Sequence, residues 1–129
     1  MSQVDEQVHH RFKVFAGALD AGGGLDALAA EVKAWAAGGA VAPKSIGVEY
    51  VEAAGKLLLS VGYRDDEPGY PVRLDSVSLG TLGALDAAAL AGVETAMAEA
   101  SRKFDRVICH ELYVTGGQDV RMVFMVQEG

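Results

Sequence analysis

One near-repetition constrains the fold of this chain more than any other feature. Glu49-Tyr50-Val51-Glu52-Ala53-Ala54-Gly55-Lys56 and Glu111-Leu112-Tyr113-Val114-Thr115-Gly116-Gly117-Gln118 both lie between apolar runs. Glu111 follows Glu49, and Gly117 follows Gly55, by the same 62 positions. A helical pattern precedes each segment, and a further apolar run precedes each helix. Two strand–helix–strand–strand units therefore account for nearly the whole chain, as repeats over about 10–64 and 71–128 of a single domain 1–129. Each unit has an apolar helix stripe and too little sheet to bury it, so the two must cover each other.

The local signals agree with this division. In His10–Ala18, Phe12, Val14 and Ala16 alternate with Arg11, Lys13 and Phe15, a strand pattern. Leu25, Leu28, Ala29, Val32, Trp35 and Ala36 recur at helical spacing, and Gly38-Gly39 with Pro43 ends that helix. Ser45–Glu52 and Lys56–Tyr63 read as a hairpin around Ala53-Ala54-Gly55. The polar stretch Arg64–Tyr70, with a Pro-Gly turn, is the seam between the halves. Pro71–Leu79 opens the second half as a strand, where proline at the start loses no ladder donor. The second helix begins at Leu85 or Asp86, with Asp86 as N-cap and an apolar stripe of Leu90, Val93, Met97, Ala100 and Phe104. Arg106–Val114 and Asp119–Gln127 form a second hairpin around Gly116-Gly117, and residues 1–9 read as a frayed tail. The expected fold is α+β: a six-stranded mixed or antiparallel sheet with two helices on one face. The other face is open or covered by a dimer partner.

Composition excludes several classes of function. Eleven Lys and Arg stand against eighteen Asp and Glu, a net charge of −7, with the cations scattered. That balance argues against nucleic acid, whose phosphates require clustered positive charge. No apolar run approaches the roughly 20 residues that span a bilayer, which argues against a membrane protein. The polar, acidic start Met1–Glu6 lacks the pattern of a signal peptide, and the single cysteine, Cys109, fits a reducing compartment. A cytoplasmic location is expected.

Strand alternation sorts the hairpin side chains onto two faces. Ile46, Val48 and Tyr50, with Ile108, His110, Leu112 and Val114, form the more apolar faces and are assigned to the helices. Glu49 then falls on the open face with Gly47 and Val51, and Glu111 with Val107, Cys109 and Tyr113. A pseudo-twofold would bring Glu49 and Glu111 to related places on one concave surface. A carboxylate beside an aromatic ring on an apolar sheet can bind a cation. The candidate ligand-binding residues are therefore Glu111 and Tyr113, then Glu49 and Cys109. A glutamate on a half-exposed strand is also commonly a solvated residue, and that reading stands beside the functional one.

The duplicated strand–helix–strand–strand unit, with Glu111-Leu112-Tyr113 on the first strand of the last hairpin, resembles the gyrase-inhibitor-like proteins. These share their fold with effector-binding domains of multidrug-responsive regulators. The resemblance covers most of the chain in topology and only that Glu-x-Tyr tripeptide in motif. It implies a central groove for lipophilic, often cationic, small molecules, with Glu111 as acidic anchor and Tyr113 beside it. Ser78-Leu79-Gly80-Thr81-Leu82 keeps only the glycine of the family's His-x-Gly-x-Tyr-like segment, and at 7% aromatic residues the chain is poor in groove-lining rings.

Other chemistry is weakly signalled. Cys109-His110-Glu111 has the residue types of a nucleophilic site, but neighbours on a strand point to opposite faces. Cys109 is better read as inert and buried, and His110 as a core-side residue. His9-His10 offers only a weak terminal metal site, and no further histidine lies at ligand spacing, so no metal site is expected. Gly22-Gly23-Gly24 lacks the residues of a phosphate loop or a dinucleotide fingerprint, so no cofactor is implied. Asp65-Asp66-Glu67 lacks the alternating ligands of a calcium loop. Trp35 lies on its helix's apolar stripe. The leading reading is a non-enzymatic small-molecule-binding protein with a groove on the open sheet face. The alternative is an interaction or homodimerising module that uses this face or an edge strand. A third reading makes Glu111 the base of a hydrolase or isomerase.

Overall fold

In the computed structural model, residues 10–19, 25–81, 83, 86–115 and 119–128 are described. The fold is α+β. The elements run β1 (Arg11–Ala18), α1 (Asp26–Ala36), β2 (Ala42–Val51), β3 (Lys56–Arg64), β4 (Val72–Thr81), α2 (Ala87–Ser101), β5 (Val107–Val114) and β6 (Asp119–Gln127). A short 3-10 turn, Glu52–Ala54, joins β2 to β3 and closes on Gly55 at φ +64°, a conformation that costs glycine nothing. Asp86 caps α2 by accepting from the Ala89 amide at 2.8 Å. The turn at Gly116-Gly117, the Gly22-Gly23-Gly24 connection and residues 1–9 lie outside the described residues.

All strand pairs are antiparallel, and the strands form two three-stranded sheets rather than the single six-stranded sheet expected. The first sheet has the order β1-β3-β2 and the second β4-β6-β5. Strand β2 runs beside β5, and α1 touches both β1 and β4. One core lies between these elements. It takes Phe15, Ile46, Leu57, Leu59 and Val61 from the first sheet, Leu28, Val32 and Ala36 from α1 with Leu25 at its N-cap, and Val72, Leu74, Tyr113, Val123 and Met125 from the second sheet. We call the sheet faces toward this core inner. A second, smaller core joins Met122, Phe124 and Val126 to Ala100, Met97 and Phe104.

The helices do not share one face as the patterning predicts. On β6 the odd residues Val123 and Met125 meet the core that contains α1, and the even residues meet α2, so the two helices cover opposite faces of the second sheet. The physical reason is the composition of β6. A strand apolar on both faces needs two covers, and the two helices supply one each.

Two strand boundaries also move. Strand β2 starts at Ala42, before Ser45, because Pro43 is accommodated at a register shift between Pro43 and Ser45. Strand β4 continues to Thr81 past a second shift between Ser78 and Gly80, where Gly80 has φ +107°. The seam loop packs back on the start of β2. The Tyr70 amide donates to the Val41 carbonyl at 3.1 Å, and the Tyr70 hydroxyl donates to the Pro43 carbonyl at 2.7 Å.

Candidate functional site

The outer face of the first sheet is the exposed one. Its cross-strand rows are Phe12–Gly62–Ser45, Val14–Ser60–Gly47 and Ala16–Leu58–Glu49. Phe12 is 69% exposed, Val14 56% and Leu58 40%. The alternation in β1 therefore runs opposite to a simple apolar-in reading. Phe15 is buried against Trp35 of α1, and Phe12 and Val14 are left outside. Contact with α1 decides this, because Gly17, on the Phe15 side, leaves room for Leu28.

A hollow of about 330 Å³ lies on this face, lined by Val14, Gly47, Val48, Glu49, Leu58 and Ser60. Small residues make its floor. A Cβ added at Gly47 would stand 2.9 Å from the Ser60 hydroxyl and fill part of it. The Phe12 ring lies close over Gly62 at the next row, within 3.4 Å of where a Cβ would be. Glu49 is exposed and, among the described residues, brings the only charge to the lining. An apolar depression with one carboxylate suits a ligand that joins a hydrocarbon surface to a positive charge.

The other candidate residues lie elsewhere. Register places Cys109, Glu111 and Tyr113 on the side of β5 that Met125, Val123 and Arg121 occupy on β6, which is the inner side. Tyr113 is 4% exposed. Its hydroxyl shares a 2.7 Å hydrogen bond with Ser76 Oγ, which also accepts from Arg121 Nε at 3.1 Å. Arg121 pairs with Asp119 at 3.5 Å, and Ser78 donates to the same carboxylate at 3.3 Å. This chain satisfies polar groups that the core would otherwise strand. Glu49 and Glu111 thus do not share one concave surface, and the expected grouping of Glu49, Glu111 and Tyr113 is corrected. Glu111 is half-buried. No protein-family model, no curated protein and no solved structure matches this chain.

Cys109 sits against the main core, and its thiol pKa is pushed up to about 11, first by burial and then by the charge of Glu111. The thiol is therefore protonated at neutral pH and a poor nucleophile. Alkylation by iodoacetamide at pH 7.5 should be much slower than that of a free thiol. The folded pKa is raised, so the contribution of Cys109 to stability is whole below the unfolded value near 9 and is lost between there and about 11. Denaturation midpoints of wild type and Cys109→Ala should diverge only in that window, with wild type falling faster. Parallel curves would show that the thiol is not held neutral by the fold.

His110 lies on the α2 side of the second sheet, its ring 6.1 Å from that of Phe124, yet it is exposed. The acidic loop is paired rather than open. Asp65 meets Arg11 at 2.8 Å, Asp66 meets Arg64 at 2.7 Å, and Glu67 meets Lys44. Among the described residues, no group of three or more His, Cys, Asp or Glu is placed to hold a metal, and no helix is long and apolar enough to cross a membrane. The hollow residues Val14, Gly47, Leu58 and Ser60 carried no individual signal in the sequence. Only the facing of small against large residues across three strands reveals them.

Proposed function

We propose that this is a small-molecule-binding protein without catalytic function, and that it takes lipophilic cations in the hollow on the outer face of the first sheet. The observation that carries the reading is Glu49, among the described residues the one carboxylate beside Val14, Gly47, Val48 and Leu58. Charge fixes the ligand's cationic end, and apolar burial supplies about 25 cal/mol per Å² covered. The matching strand orders β1-β3-β2 and β4-β6-β5 support an internal duplication. They also favour the gyrase-inhibitor-like resemblance, which implies ligands of this class. In this reading Glu49 is the anchor, in place of Glu111 and Tyr113, which do not line the hollow.

A thermal-shift screen against lipophilic cations, neutral aromatics and small anions tests this. A ligand raises Tm only as far as it binds the folded state. Cations should stabilise wild type and Glu111→Gln alike, and Glu49→Gln should lose most of the shift. Equal shifts in wild type and Glu49→Gln would remove the anchor from this face.

The exposure of Phe12, Val14 and Leu58 on one face favours a second reading, in which a second copy of the chain covers the hollow. Strand β1 ends the first sheet and could pair along its outer edge. Equilibrium sedimentation should then give a dimer that Val14→Glu converts to monomer. A wild-type monomer at tens of micromolar would exclude it.

A further inference from the structure

We infer that a cleft at the opposite end of the second sheet binds a phosphate group. The cleft measures about 370 Å³ and is lined by Arg73 of β4, Lys103 and Arg106 of the α2–β5 connection, Asp105, and Val126, Gln127 and Glu128 at the end of β6. Three of the chain's eleven cations thus converge on one opening in a protein of net charge −7. The overall negative charge does not forbid this, because exposed charges farther than about 8–10 Å are largely screened at physiological salt.

The local carboxylates are mostly occupied. Glu128 is held by Lys33 at 3.5 Å and Arg73 at 3.7 Å, and Asp75 takes the Nε of Arg73 at 2.7 Å. Lys103 and Arg106 line the cleft, are exposed, and make no ion pair with any described residue. The backbone holds Arg106 in place. Its φ is +60°, a left-handed conformation unusual for a residue with a side chain, and its carbonyl accepts from the Gln127 amide at 3.1 Å. Glycine would adopt that conformation with less strain and would bring no guanidinium. An ammonium and a planar guanidinium on one rim suit a tetrahedral dianion, which accepts several charge-assisted hydrogen bonds at once. Asp105, also on the rim, opposes the anion and limits its affinity.

Titration with inorganic phosphate, followed by amide chemical shifts at constant ionic strength with chloride as the balancing anion, tests the site. Wild type should show saturable shifts confined to the amides around 103–106 and 126–128. Lys103→Gln and Arg106→Gln should each raise the half-saturation concentration about ten-fold, the equivalent of roughly 1.4 kcal/mol. Asp105→Asn should lower it. Arg106→Gly should lose affinity while gaining thermal stability, which separates the loss of the guanidinium from damage to the fold. A parallel titration with glycerol 3-phosphate identifies the source. Tighter binding than phosphate points to an ester, and equal binding to the free ion. Shifts that fail to saturate, that spread over the surface, or that persist unchanged in the charge-removed variants would overturn the proposal.

Discussion

Phe124→Ala is expected to lower stability by about 3–5 kcal/mol, with a fall in Tm of about 15 °C. Phe124 is fully buried in the smaller core, its ring 4.9 Å from that of Phe104. That core is the attachment of α2. Only Ala100 is buried along the whole helix, so little else holds it to the sheet. Truncation leaves a cavity where the helix C-terminus meets β6, which Met97 and Met122 beside it fill only in part. Leu112→Ala, on the same side of the second sheet but exposed, should cost less than about 1 kcal/mol. Urea melts of the two variants decide the matter. A cost for Phe124→Ala similar to that of Leu112→Ala would mean that α2 does not depend on this contact.

The second large effect is expected at a residue with no side chain. Gly69 lies where the seam loop crosses the end of the α1–β2 connection. A Cβ there would collide with the carbonyl oxygens of Gly39 and Val41 and stand 2.6 Å from the Val41 nitrogen. All three are backbone atoms and cannot rotate aside, so the loop must lift. Lifting breaks the Tyr70 hydrogen bonds to Val41 and Pro43 and separates Glu67 from Lys44. We expect Gly69→Ala to cost about 3 kcal/mol, at the upper end for overpacking. Gly38→Ala is the control. Nothing lies within 4 Å of its added Cβ, and its backbone is not left-handed, so it should be neutral or slightly stabilising. Equal denaturation curves for Gly69→Ala and wild type would show that the crossing is not tight in solution.

Much of the fold was legible because local patterns carried it. Of the predicted stripe, Leu28, Val32 and Ala36 are buried on α1 with Leu25 at its N-cap, Ala29 and Trp35 are partly buried, and Asp86 caps α2 as its position before an apolar run implies. Both hairpins pair as their alternation predicts. Tertiary arrangement was less legible, for three reasons that can be named. Strand β6 is apolar on both faces, so it gave no hint of which cover lies where. Strand β5 carries a register shift between Val107 and Cys109, which sends them to opposite faces although a strict period-2 reading places them on one. Strand β1 has apolar residues in both registers, and only the approach of Leu28 to Gly17 selects Phe15 for burial. The site residues followed the same errors. Glu49 lies on the open face as its alternation suggests, whereas Tyr113, which the same alternation places on the surface, is buried on the inner side of β5 where that strand runs beside β2.

The sharing of one core by both halves has a consequence for synthesis. When the chain has emerged only as far as Arg64, the inner faces of α1 and the first sheet lack Val72, Leu74, Tyr113, Val123 and Met125. No local rearrangement of the first half can replace these, because α1 needs β4 as well as β1 beneath it. The smaller core, by contrast, is drawn entirely from residues after Pro71. The ribosome therefore releases an apolar surface that waits, at about 5–20 residues per second, several seconds for its cover. During that interval the nascent first half is a natural client for a chaperone that binds extended apolar segments.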